Sequence, residues 1–245
     1  IVDQLLAAAP DVVLGGALDL FAFPDKGGDS PGAQNRAAAA AAGYHIVNDA
    51  AELAAWDPAL EPQLLGLFQS SYESINPDLW QFGTTPITTR DASSSDPRLR
   101  DMVSRALDRL GSHPDGFFLL IENEHIDTFG HLSLFEPDLV RQAAPAEVVE
   151  LSAAVQRVLD WVAESSSFDD TLIVVTADNE CGNYSLMGSD LDQAIYGSIA
   201  HTRTPVPVWA AGPGSERLDG LCRGADIFSL LTGQLPDQRR GLAIP

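Results

Sequence analysis

Apolar residues recur along this chain in two spacings. Short unbroken apolar runs predict strands at Asp11–Leu14, closed by Gly15-Gly16, at Tyr44–Val47, and within Gln63–Gln69, which holds Leu64-Leu65-Gly66-Leu67-Phe68. Further runs at Phe117–Ile121, Thr171–Ala177 and Val206–Ala211 predict three more, and the first two read as strands buried in a parallel sheet. Helical spacing governs Ile1–Ala8, the Ala-rich Asn35–Ala42 stopped by Gly43, and Ala225–Leu231. It also governs the series Leu99, Met102, Val103, Ala106, Leu107, Leu110, and the face formed by Val148, Leu151, Val155, Val158 and Val162. Strand, helix and strand in succession from Phe117 to Ala177 predict a right-handed crossover. The expectation is an α/β fold with a mostly parallel central sheet flanked by helices on both faces. It forms a single domain over residues 1–235, followed by a polar tail at 236–245. Pro24–Gln34, Ser70–Asp96 and Asn183–Ile199 read as loops, the last plausibly lying over a site.

Polar residues are concentrated at the edges of three of the apolar runs. Glu122, Glu124, His125, Asp127 and His131 follow Phe117–Ile121 within ten residues, and the carboxyl ends of strands are where open α/β sheets bind ligands. Asp127 and His131 stand four apart, so a single helical turn would aim a carboxylate oxygen and an imidazole nitrogen at one point, with Glu122 close by for a neighbouring ion. Asp178-Asn179-Glu180 ends the Thr171 run, and His201-Thr202 precedes the Val206 run. An isolated Asp-x-x-x-His in an acidic chain is ordinarily a solvated pair. Three such clusters at strand ends favour a metal site.

Of the 245 residues, 45% are hydrophobic and the mean hydropathy is near zero, as in a globular chain. No apolar run approaches the roughly 20 residues of a membrane span. The 14 Lys and Arg against 35 Asp and Glu give a formal charge of -21, which argues against nucleic-acid binding and favours divalent cations. An anionic ester would need that field reversed locally, as bound cations can do. Cys181 and Cys222 are too few for a disulfide framework. Cys181 lies three residues past Asp178, so it reads either as a buried filler or as a thiolate ligand. His45 reads as a structural histidine, and Ser93–Ser95 as entry to the helix after Pro97 rather than as a nucleophile. The chain begins Ile1-Val-Asp-Gln, without an initiator Met or a charged-then-apolar leader, so processing or truncation is expected.

Glu122, Ile126-Asp127, His131, the run Thr171-Leu-Ile-Val-Val-Thr-Ala-Asp178, and His201-Thr202 with Pro205-Val-Pro-Val-Trp-Ala-Ala-Gly212 resemble the metal-binding half of alkaline phosphatases in order and spacing. The resemblance extends to Gln4-Leu-Leu, Asp11-Val-Val-Leu-Gly-Gly16, Gly43-Tyr-His-Ile-Val-Asn-Asp49 and Leu64-Leu-Gly-Leu-Phe68. It implies a metal-dependent hydrolase of phosphate monoesters with two zinc ions and one magnesium, secreted or periplasmic and often a homodimer, with no nucleic-acid or membrane partner. Carried over by position, Asp127, His131 and His201 would bind one zinc and Glu122 magnesium. Asp178 would bind the second zinc, with Asn179 standing where the family normally has a histidine.

Two departures follow from the same resemblance. The neutral amide of Asn179 is a poorer zinc ligand than imidazole, so the second zinc site should be weak or hold a harder ion, unless His125 or Glu180 compensates; alternatively Asn179 simply caps a turn. The serine nucleophile, the remaining carboxylates and the phosphate-gripping arginine of the family have no counterpart in residues 1–245, so this chain alone is expected to be inactive. A non-catalytic metal- or phosphate-binding homologue is therefore the main alternative, and a related hydrolase of phosphodiesters or sulfate esters a weaker one.

Overall fold

The computed structural model describes residues 2–16, 31–60, 63–68, 95–165, 168–186 and 194–234. The predicted loop 24–30, most of the Ser70–Asp96 stretch with Ser93 and Ser94, and the tail 236–245 lie outside the described residues. The contacts divide the chain into two units, Ile1–Val158 and Leu159–Pro245.

The first unit is built on three parallel strands, β1 (Val12–Gly15), β2 (His45–Val47) and β3 (Leu64–Leu67), in the order β1-β3-β2. Alternation of side chains divides their apolar residues between two layers. Val13, Leu65 and Ile46 are in register on one face. There they pack with Leu67, Tyr44, Val2 and Leu6 of helix α1 (Val2–Ala8), and Ala39 of α2 (Pro31–Ala41). Val12, Leu14, Leu64, Val47 and Phe68 form the other face, against Leu53 of α3 (Ala50–Ala55), Trp56, and Met102 of α4 (Leu99–Leu110). Helices thus cover both faces of a parallel sheet, and the fold class is α/β. Each fully buried Leu on β3 contributes on the order of 1.5–3 kcal/mol. Gly66 sits mid-strand because a Cβ there would lie 2.6 Å from Leu14 Cδ2 and from Phe68 Cζ. Two further helices, α5 (His125–Leu132) and α6 (Pro137–Ser165), follow.

Three readings of the sequence are corrected here. Phe117–Ile121 is not in any ladder among the described residues, and Phe118 and Leu120 are 70% and 75% exposed. A parallel strand is defined by ladder pairing with a neighbouring strand, and 117–121 belongs to no sheet among the described residues, so the first strand of the anticipated crossover does not form among them. Pro31–Gln34, expected in a loop, opens α2, with Pro31 at the helix start where its missing N–H costs nothing. The helix expected from Val148 begins at Pro137 and runs through Pro145.

In the second unit β4 (Ile173–Thr176) pairs antiparallel with β9 (Val208–Ala211). Leu172, Val174, Val208 and Ala210 turn toward Leu218, of the short 3-10 turn Ser215–Leu218, and toward Ile227 and Leu230 of α7 (Gly224–Leu231). The opposite face leaves Trp209 62% exposed, so β4 is half-buried rather than buried on both faces. Gly212 ends β9 at φ +102°, where a Cβ would lie 1.9 Å from the Thr171 carbonyl oxygen; only glycine can turn so close to that backbone. Asn183–Ile199, expected to be irregular, contains a hairpin of β6 (Tyr184–Leu186) and β7 (Ala194–Tyr196). Its tyrosines Tyr184 and Tyr196 face each other across the ladder with ring centroids 5.3 Å apart. β5 (Glu180–Cys181) pairs antiparallel with β8 (His201–Thr202).

Candidate metal centre

Helix α5 turns the Asp-x-x-x-His spacing into geometry. Residues four apart on a helix share a face, and Asp127 Oδ2 lies 3.1 Å from His131 Nε2 with both side chains about 40% exposed. A carboxylate and an imidazole so placed can grip one divalent cation from the same side. The helix start is fixed by its own polar groups: the Thr128 hydroxyl donates to Glu124 Oε1, and the His125 N–H donates to Asn123 Oδ1 at 3.2 Å. Asn123 in turn donates from Nδ2 to the Glu147 carbonyl at 3.0 Å and to Glu147 Oε2 at 3.1 Å, which ties the loop to α6.

Glu122 stands apart from that pair. It lines a cavity of about 540 Å³ whose walls include Val12–Gly16 and Leu119–His125, with Glu147 and Glu150 of α6. Glu147 and Glu150 are 3% and 5% exposed, and Arg98 Nη1 lies 3.5 Å from Glu150 Oε2. Gly15 and Gly16 are part of this lining, so the Gly pair at the end of β1 borders a cavity that carries four glutamates. His125 is 6% exposed, and neither its Nε2 nor Glu124 Oε2 has a hydrogen-bond partner among the described residues.

The second unit carries the other predicted ligands. Asp178 lies two residues past β4 and is exposed. Asn179 Nδ2 donates to the Glu180 carbonyl at 3.5 Å. Glu180 is engaged: its carboxylate accepts from the Thr202 hydroxyl and, at 3.2 Å, from the Tyr184 N–H. It is therefore committed to holding the β5–β8 ladder rather than free to replace a histidine at position 179. His201 is exposed at the start of β8, directly opposite Cys181 on β5. The Cys181 sulfur and a His201 ring nitrogen lie within 4.8 Å of each other. Neither Cys181 nor Cys222 forms a disulfide among the described residues. Among the described residues neither Glu122 nor Asp178 belongs to a group of three His, Cys, Asp or Glu side chains able to reach one ion.

The donor chemistry fits a zinc-type ion at the Asp127–His131 face and at the Cys181–His201 face: nitrogen, sulfur and carboxylate oxygen are its usual ligands. It fits less well around Asp178, where the adjacent side chain is an amide.

The family profile described as alkaline phosphatase matches residues 1–198. The chain belongs to the alkaline phosphatase family. It is 32% identical over 273 residues to an alkaline phosphatase of Escherichia fergusonii, covering 96% of this chain and 54% of that one. It is also 32% identical over 270 residues to a streptomycin-6-phosphate phosphatase of Streptomyces griseus, covering 96% of this chain and 58% of that one. The chain thus spans little more than half the length of these relatives. The crystal structure of a cold-active alkaline phosphatase from Shewanella sp. superposes with a TM-score of 0.74 at 20% identity, over 96% of this chain and 68% of that one. The structure of the alkaline phosphatase from the Antarctic bacterium TAB5 superposes with a TM-score of 0.69 at 20% identity, over 95% of this chain and 63% of that one. The α/β fold is therefore that of the family.

Proposed function

We propose that this chain supplies the metal-binding part of a phosphomonoesterase that uses zinc and magnesium to hydrolyse small phosphate esters. Asp127, His131 and His201 are ligands of one zinc, Glu122 of magnesium and Asp178, beside Asn179, of a second zinc. The observation that carries this reading is the 3.1 Å approach of Asp127 Oδ2 and His131 Nε2 on one helix face. When bound, such ions neutralise a phosphoryl group and stabilise the leaving oxygen. The chain's own residues hold the ion and fix its place: Asp127 and His131 from a helix whose first turn is pinned by Thr128 and Asn123, and His201 from a ladder pinned by Glu180. The resemblance assigns the serine nucleophile to a segment without a counterpart in residues 1–245, so these residues by themselves bind zinc without turnover. A periplasmic or secreted location and a homodimer belong to the same reading.

Zinc content measured by plasma mass spectrometry tests it. The protein retains zinc and His131→Ala loses most of it; equal zinc in both would overturn the assignment. A second reading, a binding homologue without catalysis, is favoured by one observation: Glu180 is occupied by Thr202 and Tyr184, so it is not placed to replace the histidine that Asn179 lacks. A polypeptide of the family's full length that binds zinc but frees no p-nitrophenol from its phosphate ester would establish it.

A further inference from the structure

We propose that Cys181 is itself a ligand of the ion held by His201, so that the first zinc site of this chain has a sulfur donor. The inference rests on the reading of a zinc at Asp127, His131 and His201 given above. Its own footing is the β5–β8 ladder. Cys181 pairs directly with His201 and Glu180 with Thr202. Directly opposed residues of an antiparallel pair project to one face with Cβ atoms about 4.5–5.5 Å apart, and successive residues alternate faces. One face is therefore spent on the Thr202–Glu180 hydrogen bond, and the other presents a thiol beside an imidazole.

The separation suits a shared ion. Zn–S and Zn–N bonds of about 2.3 and 2.0–2.1 Å at a tetrahedral angle set sulfur and nitrogen roughly 3.6 Å apart. The two donors lie within 4.8 Å of each other already, so side-chain rotation alone brings them to that spacing. The backbone on either side is held. Gly182 donates to the Ala200 carbonyl at 3.4 Å, and the Gly182 carbonyl accepts from the Gly197 and Ser198 N–H groups at 3.0 and 3.1 Å. As the metal–sulfur bond forms, the thiol proton leaves to solvent. The anionic sulfur makes the site prefer soft ions such as Zn(II), Cd(II) and Co(II) over magnesium.

Cobalt substitution reads the sulfur directly. With Co(II) as the only added metal, the protein and its Cys222→Ser variant are expected to show an intense near-ultraviolet sulfur-to-cobalt charge-transfer band. Cys181→Ser loses that band while keeping the weak visible bands of tetrahedral cobalt. Visible bands without charge transfer in the unaltered protein would overturn this inference and leave the zinc reading standing; no cobalt bound at all would overturn both. A measurement on the unaltered protein covers the case in which Cys181→Ser fails to fold. Saturating zinc should slow alkylation of Cys181 by iodoacetamide, followed by peptide mass spectrometry, and leave Cys222 unchanged. Equal protection of both thiols, or of neither, would overturn the inference.

Discussion

Asp127 Oδ2 and His131 Nε2 are 3.1 Å apart on successive turns of α5, which makes them a preformed two-point grip rather than two side chains that must search for each other. The pair is worth little to the fold, because an exposed ion pair or hydrogen bond of this kind contributes about 0.5 kcal/mol. Its value lies in binding. Asp127→Asn keeps the shape and removes the charge, so the thermal midpoint should hardly move while zinc affinity falls by at least about tenfold, the scale seen even for groups that only support a ligand. Equilibrium dialysis against zinc, alongside thermal denaturation, separates the two effects. A large stability loss with zinc binding intact would mean that the pair is a helix brace.

Asn179 offers the complementary experiment. Its amide donates to the Glu180 carbonyl and puts no strong zinc donor beside Asp178. Asn179→His restores an imidazole next to a carboxylate, and the zinc bound per chain should rise. If it does not, the neighbourhood of Asp178 lacks more than one ligand.

Tyr44 links stability to alkaline pH. Burial, and secondarily the charge of Asp11, push its phenol above the ordinary value of 10.0, and its hydroxyl donates to the Pro10 carbonyl at 2.7 Å. A raised native pKa means that the folded protein holds the proton more tightly than the unfolded chain. The stabilisation is therefore fully present below about pH 10 and is lost as pH rises through the native pKa. Tyr44→Phe should cost about 1 kcal/mol at neutral pH through the lost hydrogen bond. It should also flatten the fall in urea-denaturation stability above pH 10. Parallel pH profiles for the two proteins would show that Tyr44 does not carry the effect.

The approach of Asp127 and His131 was legible in the sequence because helical spacing is local. Asp127 and His131 need only one turn of helix to meet, and any chain folding α5 brings them together. Strand pairing is not local, and there the sequence misleads. Phe117–Ile121 has the apolar content of a buried strand, yet it joins no sheet among the described residues. Apolarity shows that a segment wants burial without showing what buries it. The short helix α3 was missed for the opposite reason, since Ala50–Ala55 is too brief for periodicity to register. Its cap was there to be read: Asp49 Oδ1 accepts from the Glu52 N–H at 2.8 Å, and Glu52 Oε2 accepts from the Asn48 N–H at 2.7 Å. Cys181 reads in the sequence as either a filler or a ligand, and only the β5–β8 register sets it face to face with His201, twenty residues away.

Gly66 tests how tightly the parallel sheet is assembled. It pairs with Leu14 on one side and Val47 on the other, and the space above it is filled by Leu14 and Phe68. Adding a methyl there brings Cβ within 2.6 Å of Leu14 Cδ2 and Phe68 Cζ, closer than carbon atoms approach without displacement. Overpacking of this kind costs about 1–3 kcal/mol, against which the better strand propensity of Ala recovers less than about 1 kcal/mol. Gly66→Ala should therefore destabilise. If the clash with Leu14 is the cause, adding Leu14→Ala should not sum with it. Leu14 is half-buried, so Leu14→Ala alone costs less than the roughly 2–5 kcal/mol of a core truncation, and the Gly66 methyl then occupies part of the space it opens. Double-mutant thermodynamics by chemical denaturation should show the pair at least about 0.5 kcal/mol more stable than the sum of its parts. Simple additivity would place the strain elsewhere, against the Phe68 ring rather than against Leu14.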